Sequence, residues 1–313
     1  MRIAIASGKG GAGKTCVAAS LSRVWPRPHI AIDADVEAPN LHIFLQPVLD
    51  APEPWHLAVP AGLTSACTAC GACRDICRYS AIARFGKKIK LFPDMCHGCG
   101  GCFAVCPEQA LTEGQRELGT VARGRTAFGV PYLEGATRVG EVMTPPLLRR
   151  LLACAGEMAQ AKAAEQGAEP DLICDCPPGV SCPAVTAARH AQALVMVADP
   201  TPFGFHDLTL AWQAFSQLPL KLGCVINRAA MPGNAGGDER IRAFCRERDL
   251  PVLAELPFER EAALAYAQGG LLADISPAWR RRFEELAARM LEAFLGSDQA
   301  GCLDKGGRHA RLS

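Results

Sequence analysis

Nine residues near the start of the chain, Ser7-Gly8-Lys9-Gly10-Gly11-Ala12-Gly13-Lys14-Thr15, constrain its folding more than any others. From Gly8 to Thr15 they fit the pattern G-x-x-x-x-G-K-S/T. The apolar run Ile3-Ala4-Ile5-Ala6 before them reads as a buried strand. Cys16-Val17-Ala18-Ala19-Ser20-Leu21 after them reads as the first turns of a helix. Strand, glycine loop and helix in that order make a phosphate cradle. Glycines let the backbone turn tightly enough to aim several N–H groups inward, and the helix N-terminus adds partial positive charge. Gly8, Lys9, Gly10, Gly11, Ala12, Gly13, Lys14, Thr15 and Cys16 are therefore candidate nucleotide contacts. Lys14 reaches the outer phosphates and Thr15 offers a hydroxyl to Mg2+. The expected ligands are ATP and Mg2+.

An ordinary phosphate loop needs only Lys14; this one carries a second lysine, Lys9. The wording K-G-G-x-G-K-T resembles the deviant Walker A loop of the MinD/ParA/Mrp ATPases, a group related to the nitrogenase iron protein. That resemblance implies a nucleotide-dependent dimer, in which Lys9 reaches across to the partner's nucleotide. Other segments extend it. The strand His29-Ile30-Ala31-Ile32 ends in Asp33-Ala34-Asp35, like the family's first switch, and Asn40-Leu41 fits its sequel. One of Asp33 and Asp35 orders the attacking water or holds it through Mg2+, and both stay candidates. The strand Asp171-Leu172-Ile173-Cys174 delivers Asp175-Cys176-Pro177-Pro178-Gly179, which resembles the second switch. Asp175 is then a water-mediated Mg2+ ligand, and the Gly179 N–H approaches the γ-phosphate. The resemblance also makes Asn227 the base-reading residue and places the backbone at Pro257 against the base.

The phosphate-loop pattern pauses after Leu45, where Pro47, Pro52, Pro54 and Pro60 suggest a boundary. Two cysteine runs follow, Cys67, Cys70, Cys73, Cys77 and Cys96, Cys99, Cys102, Cys106. Each reads C-x-x-C-x-x-C-x-x-x-C, and the second repeats the first 29 residues later. Three closely spaced thiolates hold one face of a cubane, and the fourth cysteine of each run ligates the other cluster. Cys67, Cys70, Cys73 and Cys106 are thus assigned to one 4Fe–4S cluster, and Cys96, Cys99, Cys102 and Cys77 to the second. Zinc would use one tetrahedral set of four, not two complete runs. The pattern is that of a bacterial two-cluster ferredoxin. Cys106 precedes Pro107 but Cys77 precedes Arg78, a cation placed to raise the potential of its cluster.

Among the remaining cysteines, Cys16, Cys154, Cys174, Cys224, Cys245 and Cys302 read as small apolar residues. Cys182 reads as a buried or half-buried thiol; a bridging cluster between two subunits is the alternative that the nitrogenase iron protein suggests. Residues 117–142 read as short hairpins punctuated by glycine. Thr144 caps a helix opened by Pro145, and Pro277 to Leu295 reads as a packed closing helix with arginines on its wet face.

The expected fold is therefore an α/β P-loop NTPase, a mostly parallel sheet covered by helices. An inserted α+β ferredoxin-like unit interrupts it. The expected divisions are 1–56 and 116–296 for the ATPase, 57–115 for the insert, and 297–313 for a disordered tail. With 49% hydrophobic residues, 313 residues suffice for one such domain plus a small unit. A net charge of +1 gives no general nucleic-acid surface. The first strand begins one residue after Met1, so no secretory leader is expected, and no apolar run is long enough to span a membrane. A cytoplasmic protein with reduced thiols follows. The expected activity is ATP hydrolysis coupled to electron transfer through the two clusters, with a redox or metallocofactor-carrying protein as partner. The dimer is formed with a second copy or with a paralogous ATPase. The alternatives are an Mrp-like iron–sulfur assembly or carrier ATPase and a MinD-like cell-positioning ATPase.

Overall fold

The computed structural model describes residues 1–141, 143–234 and 236–296. The tail 297–313, with Cys302, lies outside the described residues. The first half of the chain runs β1 (Arg2–Ala6), α1 (Lys14–Val24), β2 (His29–Asp33), α2 (Leu41–Leu45), β3 (Val48–Leu49) and β4 (Glu53–Leu63). It continues through α3 (Ala72–Ile76), β5 (Ile82–Phe85), β6 (Lys88–Leu91), α4 (Gly101–Ala104), β7 (Leu111–Arg125) and β8 (Pro131–Thr137). The second half runs α5 (Pro145–Gln166), β9 (Asp171–Asp175), α6 (Cys182–Arg189), β10 (Ala193–Ala198), α7 (Pro202–Phe215), β11 (Lys221–Ala229) and α8 (Gly237–Arg246). It closes with β12 (Val252–Pro257), α9 (Arg260–Ala267), α10 (Leu272–Ile275) and α11 (Pro277–Leu295).

The main sheet has the order β12-β11-β10-β1-β9-β2-β8-β7-β3. It is parallel from β12 to β8 and antiparallel beyond. Its central strands are buried on both faces, which is why they read as continuous apolar runs. Ile3 and Ile5 of β1 pack into one helical layer, while Ala4 and Ala6 pack into the other. From β1 the chain order departs in both directions, β9 and β2 to one side and β10 to β12 to the other. Parallel sheets bind ligands at such a switch point, beyond the strands' carboxyl ends. The phosphate loop, Asp33, Asp175, Asp199 and Asn227 all stand at those ends.

α11 packs as expected. Trp279, Phe283, Leu286, Met290, Leu291 and Phe294 are buried, each worth about 1.5–3 kcal/mol of transfer free energy. Two expectations need correction. The segment 117–142 forms one hairpin, β7–β8, rather than several short ones, and its first strand begins earlier, at Leu111, pairing with β4 along one stretch and with β8 along another. Gly129 stands in the β7–β8 turn with φ 84°, whereas Gly119 and Gly124 mark close backbone approaches within β7. A Cβ at Gly119 would stand 2.1 Å from the Ala136 carbonyl, and one at Gly124 would stand 2.3 Å from that of Val48. Likewise Pro54 and Pro60 do not break the chain; they lie within β4. Among the described residues β4 pairs with β7 alone, so a missing N–H on its free edge costs nothing.

Candidate functional site

The loop between β1 and α1 is held from two sides. Asn227 at the end of β11 donates from Nδ2 to the Ala12 carbonyl at 2.8 Å. On the other side, a Cβ at Gly8 would stand 2.0 Å from the Asp207 carbonyl of α7. Gly13 has φ 97°, the left-handed region, and a Cβ there would meet Asn227 Nδ2 at 2.1 Å. Gly13→Ala should therefore weaken nucleotide binding at least about tenfold by displacing the loop from Asn227, as read by titration with a fluorescent ATP analogue. Binding as tight as the wild type's would show that the Asn227 clamp is dispensable.

Behind the loop three aspartates surround Lys14. Its Nζ lies 3.3 Å from Asp35 Oδ2 and 3.5 Å from Asp175 Oδ1. Burial works against the Lys14 charge, but Asp175, Asp35 and Asp33 outweigh it and hold the ammonium above its ordinary pKa. Burial, followed by the charge of Asp175, pushes Asp33 up to about 8. Burial likewise raises Asp175 to about 6, against the pull of Lys14. The two strongest candidates for handling water differ in their commitments. Asp33 is fully buried. It accepts from the backbone N–H groups of Asp35, Asn40 and Leu41 at 3.1, 2.8 and 2.8 Å. Asp35 bonds to Lys14 and lines the adjoining cavity.

A divalent cation fits here on the structure's own terms. Thr15 donates its hydroxyl to Asp175 Oδ2 at 2.6 Å, with Asn40 Oδ1 3.1 Å away. Asp175 Oδ1 is buried without a hydrogen-bond partner, its nearest cation being Lys14. A carboxylate oxygen left in that state suits a ligand that brings positive charge.

Beside the loop opens a cavity of about 310 Å³. Gly10, Gly11, Gly13, Lys14, Thr15, Cys16, Asp35, Asn227 and Pro257 all line it. Burial pushes the Cys16 thiol up to about 12, so it acts as an apolar wall. Lys9 points away from the cavity, toward Asp199 Oδ2 at 3.3 Å and Asp207 Oδ2 at 3.7 Å. The Gly179 N–H donates to the Ser7 carbonyl at 2.9 Å, so contact with a phosphate requires that bond to open. In the sequence Asn40 stands only as part of the segment after Asp33, and Tyr266 and the two aspartates facing Lys9 are assigned no role there.

The cysteines gather around two further cavities. Cys67, Cys70, Cys73 and Cys106 line one. Cys77, Cys96, Cys99 and Cys102 line another. The backbone repeats with the thiols. Ala69 and Gly98, Gly71 and Gly100, and Ser80 and Gln109 all have positive φ, and each pair is 29 residues apart. Among the described residues no three His, Cys, Asp or Glu side chains converge on one metal ion. Cys182 is exposed at the start of α6, which corrects its expected burial. Cys16, Cys154, Cys174, Cys224 and Cys245 are buried, as expected of small apolar residues.

The family model described as "CobQ/CobB/MinD/ParA nucleotide binding domain" matches residues 3–272. The chain belongs to this family. An uncharacterized protein of Methanocaldococcus jannaschii is 31% identical over 213 residues, spanning 66% of this chain and 70% of that protein. A second uncharacterized protein of the same organism is 25% identical over 233 residues, spanning 73% and 80%. Among solved structures, the septum site-determining protein MinD complexed with Mg-ADP from Pyrococcus horikoshii aligns with TM-score 0.56 and 19% identity. The alignment covers 97% of this chain and 99% of that one. The cell division ATPase MinD of Pyrococcus furiosus aligns with TM-score 0.53 and 20% identity, over 93% and 98%. These likenesses are of fold, the α/β P-loop NTPase.

In this MinD/ParA-type ATPase chain, Lys14, Thr15, Asp33, Asp35 and Asp175 come together at the carboxyl ends of the parallel strands. Among the described residues no helix is long and apolar enough to cross a membrane.

Proposed function

We propose that this chain hydrolyses ATP as a dimer and uses that cycle to gate electron transfer through two 4Fe–4S clusters. The observation that carries the redox half is the sorting of the eight thiols. Each cavity takes three cysteines from one run and the fourth from the other. A cubane's four iron corners hold their thiolates farther apart than a single ion would, so the two cavities and the lack of a tight single-ion site are compatible. When bound, each cluster supplies a one-electron carrier. The unit is taken as residues 57–115, within an ATPase formed by 1–56 and 116–296.

At the nucleotide, backbone N–H groups from Gly8 to Cys16 cradle the phosphates, and Lys14 neutralises the outer ones. Thr15 and Asp175 hold Mg2+. Asp35 orders the attacking water, because Asp33 is spent on three backbone donors that shape the segment around it. The Gly179 N–H turns from Ser7 toward the γ-phosphate. Asn227 and the Pro257 backbone receive the base. Lys9 leaves Asp199 and Asp207 to reach the partner's nucleotide, in a second copy or a paralogue.

A run of contacts supports coupling between the two halves. Thr144 Oγ1 donates to Glu37, two residues beyond Asp35, at 3.2 Å. Glu141 accepts from the Met143 N–H and is ion-paired with buried Arg116. Arg116 Nη2 donates to the Cys96 carbonyl at 2.9 Å. A shift of the Asp33–Leu41 segment on γ-phosphate binding is thus passed to a cysteine backbone. Arg116→Met should leave both clusters in place yet reduce the nucleotide response of the centre held by Cys96. An unchanged response would remove Arg116 from the route.

The test is an anaerobic EPR redox titration with and without Mg·ATP. Two low-potential 4Fe–4S signals, at least one shifted by nucleotide, are expected. Signals indifferent to ATP would refute gating, and no iron–sulfur signal would refute the redox reading outright. Exposure of Cys70 and Cys99, one in each set, favours a second reading, an iron–sulfur carrier ATPase. Retention of both clusters through repeated turnover excludes it. The MinD fold favours a third, cell positioning, which predicts ATP-dependent localisation in cells even when all eight cysteines are replaced.

A further inference from the structure

We propose that the outer face of the β5–β6 hairpin docks a small, acidic one-electron carrier protein. This inference rests on the redox reading above and adds the class of partner and its place of contact.

Charge is concentrated here. Residues 74–90 carry Arg74, Arg78, Arg84, Lys87, Lys88 and Lys90 against a single carboxylate, Asp75, in a chain whose net charge is only +1. All six cations are exposed. Asp75 is paired with Arg74 at 3.2 Å, and among the described residues no carboxylate pairs with the three lysines.

The strand register separates the hairpin into two faces. Ile82 opposes Leu91 and Arg84 opposes Ile89, while Ala83 opposes Lys90 and Phe85 opposes Lys88. Directly opposed residues share a face. The inner face belongs to the first cysteine set. Ile89 lines its cavity, and Arg84 Nη1 donates to the Cys70 carbonyl at 3.1 Å. Arg84 therefore serves the cysteine loop, whereas Lys88 and Lys90 point the other way and serve nothing inside. With them stands Phe85, 66% exposed, and the turn adds Lys87. An exposed aromatic ringed by cations is an anchor with a steering field around it.

Size and charge decide the occupant. A four-residue hairpin face matches the small, transient interfaces of redox encounters. A long polyanion such as nucleic acid would also meet the rest of the chain, whose net charge is negative once this segment is set aside. The docked carrier would sit one strand's thickness from the cavity of Cys67, Cys70, Cys73 and Cys106. The step is the transfer of one electron. The reduced carrier is oxidised, the centre held by those thiols is reduced, and no bond or proton moves.

The test uses the full-length, cluster-loaded protein under anaerobic conditions, with a strongly acidic flavodoxin as probe and methyl viologen as a small cationic control. In the triple variant K87E/K88E/K90E, flavodoxin affinity by calorimetry should fall about tenfold or more, and its dependence on salt should flatten. Reduction by flavodoxin, followed by bleaching of the visible iron–sulfur absorption, should slow in parallel, while reduction by methyl viologen should not slow. Phe85→Ala should weaken binding with the salt dependence retained. Equal affinity of wild type and triple variant would overturn the proposal. So would lysine-dependent binding of a short DNA duplex that exceeds binding of flavodoxin. Lysine-dependent binding of flavodoxin without electron transfer would keep the docking face and sink the redox reading instead.

Discussion

Lys14→Ala will lower ATP hydrolysis on the order of 100- to 1000-fold, the usual loss when one preorganised charge facing the transition state is removed. The same substitution will destabilise the nucleotide-free protein by about 3–5 kcal/mol, the typical result of removing one partner from a buried ion pair. Both effects come from one geometry. Lys14 is almost fully buried, with Asp35 and Asp175 within 3.5 Å of its ammonium and Asp33 behind them. Without the lysine, the carboxylates keep their desolvation and lose their compensating charge. Phosphate release and urea unfolding measure the two losses separately. Asp35→Asn added to Lys14→Ala should recover part of the stability and none of the activity, because it removes one uncompensated charge and also the residue assigned to order water. A Lys14→Ala protein as stable as the wild type would mean that the carboxylates do not depend on it.

The second large effect concerns ligation that crosses between the two cysteine runs. Cys106→Ser should abolish the same iron–sulfur signal as Cys67→Ser, although those residues lie in different runs. Cys77→Ser should abolish the same signal as Cys96→Ser. The sorting of thiols between the two cavities requires this pairing. Loss of signals run by run, with Cys67 grouped with Cys77, would refute it. On the proposed reading the unit also depends on what its thiols hold. Its two small cores are built on Cys73, Ile82, Cys102 and Leu111, and on Val59, Ala81 and Cys96. Cysteine thus supplies much of the interior, and so little apolar surface cannot offset chain entropy alone. Removing iron and sulfide should lower hydrogen-exchange protection between Leu63 and Leu111 on the order of 100-fold or more. Protection retained in the stripped protein would show that the fold needs no metal.

Much of this molecule is legible in its sequence, and the legible parts share a cause. The phosphate loop, the strands that end in Asp33 and Asp175, and the closing helix Pro277–Leu295 are each specified by neighbours in sequence. Glycine at fixed offsets, uninterrupted apolar runs and helical periodicity act over a few residues, so local reading suffices. The 29-residue repeat belongs here too, and it reappears as recurring positive φ angles. Two local signals misled. Glycine in β7 and proline in β4 read as punctuation, whereas pairing across the β4–β7 ribbon made one a site of close approach and the other a free edge.

What only the tertiary structure decided were meetings between residues far apart in the chain. Asp33 and Asp35 look equivalent in sequence; three backbone donors distinguish them. Lys9 carries no mark of its resting partners, because Asp199 and Asp207 come from the end of β10 and from α7. Arg116, Glu141 and Thr144 form no motif, yet they connect the segment after Asp35 to the backbone at Cys96. Lys88 and Lys90 form no motif, yet the strand register places them together on the face opposite the thiols. Short-range stereochemistry is written along the chain. Which buried charge meets which, and which face is left for another protein, follows from how the sheet brings distant segments together.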